Sequence, residues 1–109
     1  MQVDVRTVGT RDVLHVVGEV DVASVDRVRE QVAALLGDGR TDLVVDLTDV
    51  TFLDSTGLGL LVGTLKRVRL AGGRMVLVVD AEPLLKVFRV TGLAQVFTIH
   101  PTLADALAA

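Results

Sequence analysis

The sequence predicts an α/β fold: a mixed, mostly parallel sheet of about five strands, opened by an N-terminal hairpin and covered by four helices. Three observations predict it. Two apolar segments at the start are separated by a short Gly-Thr turn. Behind them, short apolar runs take turns with stretches whose apolar residues recur at helical spacing. Glycine or proline marks most boundaries between the two patterns.

Val3–Val8 alternates apolar and polar residues, as a half-buried strand does. Gly9-Thr10-Arg11-Asp12 reads as a turn and Val13–Val17 as the returning strand. Gly18-Glu19-Val20-Asp21 leads to Ser24, a residue type suited to a helix N-cap. Val25, Val28, Val32, Leu35 and Leu36 then recur at helical spacing until Gly37 and Gly39 end the helix. Leu43-Val44-Val45-Asp46-Leu47 shows little alternation, which fits a strand covered on both faces, and a short connection follows. A helix over about Ser55–Leu70 is closed by Gly72-Gly73, and Met75–Val79 is a second buried strand. Glu82-Pro83 opens a helix with Leu84, Leu85, Val87 and Phe88 that stops before Gly92. Val96–Ile99 is a short last strand, and Pro101-Thr102 starts a terminal helix with Leu103, Ala106 and Leu107. A hairpin followed by βα units makes the sheet mixed but mostly parallel.

Composition narrows the function. A chain of 109 residues suits one domain, residues 1–109, and 50% apolar content is enough for its own core. With three Phe and no Tyr or Trp, that core is aliphatic. The lack of cysteine excludes disulfides, Cys-ligated zinc and thiol catalysis. No signal peptide is visible in MQVDVRTV, and no apolar run approaches the ~20 residues of a membrane span. The expectation is a cytoplasmic chain off the membrane, without metal or cofactor. Nothing points to an obligate dimer, so a monomer is expected. A net charge of −3 and few aromatics argue against nucleic-acid binding.

The stretch DVTFLDSTGLGLLVG, residues 49–63, sets acids and hydroxyls inside an apolar segment. It sits where a buried strand hands over to a helix, the end of an α/β sheet where ligands and partners dock. Asp54 is placed to cap the helix; Ser55 and Thr56 follow beside its free N–H groups. Leu58, Leu61, Val62, Leu65 and Val68 form a core stripe, with Leu60 outside it. Each internal glycine costs roughly 1 kcal/mol of helix propensity, which something must offset. At Gly63 tight packing is the expected reason. At Gly57 two reasons stand open: packing, or close approach of another molecule to a bare backbone.

Enzyme readings fit less well. Gly57-x-Gly59 with Gly63, and Asp80 after the next strand, follow the order of a dinucleotide-binding fingerprint. The chain is about half the size of such a fold, and Asp54 and Ser55 place an acid and bulk where pyrophosphate must approach. Asp54-Ser55-Thr56-Gly57 carries one residue too many for the aspartic-protease motif and enters a helix. His15 and His100 lie in strand contexts, and no Gly-x-Ser-x-Gly elbow surrounds Ser55, so a Ser-His-Asp hydrolase is not indicated. Lys66, Arg67, Arg69 and Arg74 read as charges complementing a helix C-terminus. Asp42 and Asp49 read as loop or strand-end residues, and Asp46, between Val45 and Leu47, as a partly buried hydrogen-bonding group.

Phe52-Leu53-Asp54-Ser55-Thr56-Gly57-Leu58-Gly59-Leu60-Leu61-Val62 resembles the phosphorylation-site signature of bacterial anti-sigma factor antagonists, which are single STAS domains. Gly18-Glu19-Val20-Asp21, Val44-Val45-Asp46-Leu47, Phe88-Arg89-Val90-Thr91-Gly92-Leu93 and Phe97-Thr98-Ile99 extend the resemblance over nearly the whole chain. The resemblance implies a STAS-like sheet and a protein–protein switch without enzymatic activity of its own. The unmodified antagonist would bind an anti-sigma factor that is also a serine kinase with a histidine-kinase-like ATP fold, releasing a sigma factor. The kinase would phosphorylate Ser55, and a PP2C-type phosphatase would reverse it. Thr56 also carries a hydroxyl at the helix start; the resemblance places the acceptor directly after the Asp, hence Ser55. Asp21, Asp54, Thr56, Gly57, Leu58 and Leu60 would contribute to the partner-binding surface. STAS domains that serve as scaffolds in stress-signalling or lipid-transport complexes are the alternative within the family.

Overall fold

A computed structural model describes residues 1–109. The hairpin is present: β1 (Gln2–Val8) and β2 (Arg11–Val20) pair antiparallel, Val5 opposite Leu14. The chain continues as α1 (Val25–Gly37), β3 (Asp42–Leu53), α2 (Ser55–Leu70), β4 (Arg74–Val78), α3 (Glu82–Val90), a 3₁₀ turn at Leu93–Gln95, β5 (Ile99–His100) and α4 (Leu103–Ala108). Strand order is β1-β2-β3-β4-β5, and every pairing after the hairpin is parallel. The fold class is as expected: five strands, four helices and a mixed, mostly parallel sheet.

Alternation decides which face each residue covers. Leu14, Val16, Leu43, Val45, Leu47, Met75, Leu77 and Val79 point into the larger core, where they meet Val28, Val32 and Leu35 of α1, Leu61, Leu65 and Val68 of α2, and Leu84 and Phe88 of α3. Val13, Val44, Val76 and Val78 face the other way and are covered by Ala106, Leu103 and Leu107 of α4. Phe88 and Phe97 meet edge to face with centroids 5.9 Å apart, so two of the scarce aromatics lock α3 to the segment before β5.

Three boundaries differ from expectation. β2 runs on to Val20, where Gly18-Glu19-Val20 had been read as leading into a helix. Its register slips between His15 and Val17 and again between Gly18 and Glu19, with Gly18 at φ 97°, a value glycine adopts without strain. β3 runs to Leu53, where a connection was expected after Leu47. β4 pairs only with Asp42–Asp46, so residues 49–53 have β2 as their single strand neighbour and are partly solvated. That is why Thr48, Asp49 and Thr51 belong to a strand despite their polarity. The expected strand Val96–Ile99 is also corrected: Val96 closes the 3₁₀ turn, and the strand is only Ile99–His100, paired with Leu77 and Val78.

Candidate functional site

The parallel pairing of β2 and β3 ends with Val20 beside Leu53, and the next residues open α1 and α2. Asp54 N–H donates to the Val20 carbonyl (3.2 Å), tying the two strand-to-helix turns together. Asp21 and Asp54 are thereby brought to one edge of the molecule, at the carboxyl ends of adjacent strands, where the α/β topology leaves room for a partner.

Each turn is held by its aspartate. Asp54 is the N-cap of α2 in extended backbone (φ −92°, ψ −176°), and its Oδ1 accepts the Gly57 N–H at 3.0 Å. The cap read from the sequence is therefore present. At α1 the expected residue holds the N-cap position, but its side chain is used in the preceding turn. Ser24 stands at the N-cap but makes no side-chain cap bond. Its Oγ accepts from Asp21 N–H (3.1 Å) and donates to the Glu19 carbonyl (2.9 Å), while Asp21 Oδ1 accepts the N–H groups of Ala23 (3.0 Å) and Ser24 (3.1 Å). Asp21 shapes its loop in the way Asp54 shapes the neighbouring one.

Ser55 is the first residue of α2 and is exposed, with no hydrogen bond from its hydroxyl to the protein. Thr56 beside it is half-buried. His15 Nε2 is engaged by Asp49 Oδ2 at 2.7 Å, and His100 lies on the edge strand β5, so neither activates Ser55. Asp46 is buried, and its Oδ1 accepts the Thr48 hydroxyl (2.7 Å) and N–H (3.0 Å), the hydrogen-bonding role its flanking residues implied. Lys66, Arg67, Arg69 and Arg74 do not form one patch: Arg67 lines the groove that Ser55 opens, while Arg69, which reaches the Val96 carbonyl, and Arg74, 3.6 Å from Asp42, line a different one.

Of the glycines of α2, Gly57 is decided between its two open reasons and the expectation for Gly63 is corrected. A Cβ on Gly57 would overlap Leu53 Cδ1 and lie 3.1 Å from Val20 Cγ1. Gly57 is buried, so packing against the sheet explains it, and it offers no bare backbone to another molecule. A Cβ on Gly63 or Gly59 would meet nothing within 4 Å, so tight packing does not explain Gly63. Leu58 and Val62, assigned to the core stripe, are half-buried at its margin, as is Leu60; the fully buried face is Gly57, Leu61, Thr64, Leu65 and Val68. Thr64 sits there because its hydroxyl donates to the Leu60 carbonyl at 2.8 Å.

A groove of ≈ 390 Å³ runs along α2 from Ser55 and Thr56, over Gly59 and Gly63, to Arg67, with Arg29 of α1 on the opposite side. Arg29 was missed in the sequence because it reads as one more charge on a solvated helix face. Two exposed apolar residues flank the aspartates: Val22 (74% exposed) follows Asp21, and Phe52 (51%) precedes Leu53. The signal for Phe52 was available. In β3 the buried Val50 and Leu53 leave Thr51 and Phe52 exposed between them, and Phe52 is the one Phe outside the core. The Gly57–Gly63 segment lies within α2, with the Asp54 carboxylate on the very N–H that a pyrophosphate would need. This geometry disfavours the dinucleotide reading.

The STAS domain family matches residues 2–106. An anti-sigma-B factor antagonist of Bacillus subtilis is 38% identical over 99 residues, spanning 91% of this chain and 90% of its own length. One of Staphylococcus aureus is 34% identical over 83 residues, 76% of this chain and 77% of that protein. The crystal structure of an anti-sigma factor antagonist from Mycobacterium paratuberculosis superposes with a TM-score of 0.90 at 30% identity, covering 98% of this chain and 91% of that one. With this sheet order, these two aspartate-held turns and these relatives, the chain belongs to the STAS domain family.

Proposed function

We propose that this protein is an anti-sigma factor antagonist whose binding is switched off by phosphorylation of Ser55. The observation that carries the reading is an exposed serine with a free hydroxyl, directly after the Asp54 cap and next to the Asp21 turn, in a chain 38% identical to an anti-sigma-B factor antagonist. The unmodified surface, Asp21, Val22, Phe52, Asp54, Ser55 and Thr56, docks on an anti-sigma factor that is also an ATP-dependent serine kinase. Release of a sigma factor follows, and a PP2C-type phosphatase restores the bare serine. The protein acts by binding and not by catalysis.

The switch needs no refolding. Phosphate adds about −1.5 to −2 charges at neutral pH, one residue from Asp54 and on the turn tied to that of Asp21. A partner that packs against a neutral hydroxyl offers no counter-ion of its own, and desolvating the added charge at the interface costs several kcal/mol. At ~3 kcal/mol, affinity falls roughly a hundredfold.

The test is capture from the source lysate on three baits, wild type, Ser55→Ala and Ser55→Glu, followed by ATP and mass spectrometry. The expected result is an ATP-binding kinase on wild type and Ser55→Ala, lost on Ser55→Glu, with one phosphate added at Ser55 of wild type. The same non-kinase partner on all three baits, with Ser55 unmodified, would make the chain a scaffold of a larger signalling or lipid-transport assembly.

A further inference from the structure

Resting on the reading of Ser55 as the phosphoacceptor, we propose that Arg29 is the counter-ion that receives the Ser55 phosphate within the same chain. Arg29 is the one residue of α1 lining the groove that Ser55 opens. The two helices follow adjacent parallel strands whose ends the Asp54–Val20 hydrogen bond joins, α2 starting directly after Asp54 and α1 after the Asp21–Ser24 turn. Arg29 lies four residues into α1 and Gly59 four residues into α2, each ~6 Å from its helix start. Helical side chains lean toward the N-terminus, so the Arg29 guanidinium is carried toward the level of Ser55. Its observed contact agrees with that lean: Arg29 Nη1 pairs with Asp26, one turn earlier.

The pair with Asp26 is exposed on both sides, with 51% and 75% of the side chains accessible, so it is weak and readily exchanged. A phosphate offers the guanidinium two oxygens in the fork geometry it fits best. Beyond its own helix nothing lies within 4 Å of where a Gly59 Cβ would be, so the groove that Ser55 and Arg29 both line is open at Gly59. Asp54, Asp21 and Asp26 act in the opposite direction, each disfavouring the dianion. Arg29 is what lets the phosphorylated chain keep its fold, and in pairing it fills the mouth of the groove that the bare serine leaves open. Arg67 shares the groove but lies twelve residues from Ser55, ~18 Å along the helix, and serves as the control.

Phosphoserine installed at position 55 during translation is titrated by ³¹P NMR in three proteins: the otherwise wild-type chain, Arg29→Gln and Arg67→Gln. Both arginines are exposed, and amide spectra confirm the fold. The second phosphate pKa is expected to rise by ~0.5 pH unit or more in Arg29→Gln, with no change in Arg67→Gln. Identical titrations of wild type and Arg29→Gln would overturn the proposal. So would an equal rise in Arg67→Gln, which would mean a diffuse field instead of a clamp. Because the phosphate is built in, no kinase enters this experiment. Failure of the phosphoacceptor reading would show separately, as a wild-type chain that takes no phosphate from the captured kinase.

Discussion

A methyl group added at Gly73 would collide with the Thr41 carbonyl oxygen and Cβ, whereas one added at Gly63 would meet nothing within 4 Å. The two glycines therefore respond oppositely to alanine. The Thr41 carbonyl already accepts the Arg74 N–H at 2.8 Å, at the point where β4 joins β3. Gly73→Ala has to displace backbone there and is expected to cost about 2–3 kcal/mol. Gly63→Ala gains helix propensity and is expected to stabilise by up to ~1 kcal/mol. For a domain of this size that is roughly a 4–8 °C rise in Tm, measurable by calorimetry. The added methyl also enters the groove beside Ser55, so a variant that melts higher but captures less kinase would show that Gly63 is kept small for a partner. None of this was legible in the sequence. A glycine pattern states that a backbone is bare but not what lies opposite; for that reason two explanations stood open at Gly57, and the packing expected at Gly63 is not found.

At the scale of elements, Asp54 combines two roles that a pair of substitutions can separate. As N-cap it supplies an oxygen to Gly57 N–H; as a carboxylate it adds charge beside Ser55. Asp54→Ala removes both and is expected to cost about 1 kcal/mol of stability. Asp54→Asn keeps an acceptor, so its stability in urea should stay within ~0.5 kcal/mol of wild type. If the Asn protein still captures the proposed kinase as wild type is expected to, Asp54 acts through the shape of the turn; if capture is lost at full stability, the partner reads the charge. Elements with strong periodicity were legible from sequence: α1, α2, α3 and the buried halves of β2, β3 and β4. The far halves of β2 and β3 were not, because a partly solvated strand with two register slips loses the alternation that marks it. β5 was displaced for a related reason. Val96 and Phe97 look like strand residues, but Phe97 is apolar because it packs on Phe88, not because it extends a sheet.

For the whole molecule, the parallel sheet separates two kinds of charge. The site occupies the carboxyl ends of β2 and β3. The opposite end carries the ion pairs with a buried member: Arg11 bonds Asp42 at 3.1 Å, and Asp12 accepts from Arg40 Nε at 2.8 Å and Thr7 Oγ1 at 2.9 Å. Burial by itself would raise the Asp12 pKa, but the bonds from Arg40 and Thr7, with the Arg40 charge, outweigh it and hold the carboxyl below its usual range. A carboxyl depressed in the folded chain adds stability that is complete above its unfolded value near ~3.9 and is lost as pH falls through the folded value. Urea titrations between neutral pH and the acid limb should therefore show wild type losing stability below about pH 4. Asp12→Asn, which leaves Arg40 without its carboxylate, should be less stable by about 1–3 kcal/mol at pH 7 and converge on wild type as the acid limb is reached. A difference independent of pH would assign the loss to packing around Asp12 instead. With the pair at the end of the sheet remote from Ser55, the same substitution should leave capture of the kinase unchanged wherever the protein is folded. The scaffold could then tolerate changes in the ionic network that sets its stability without losing the switch.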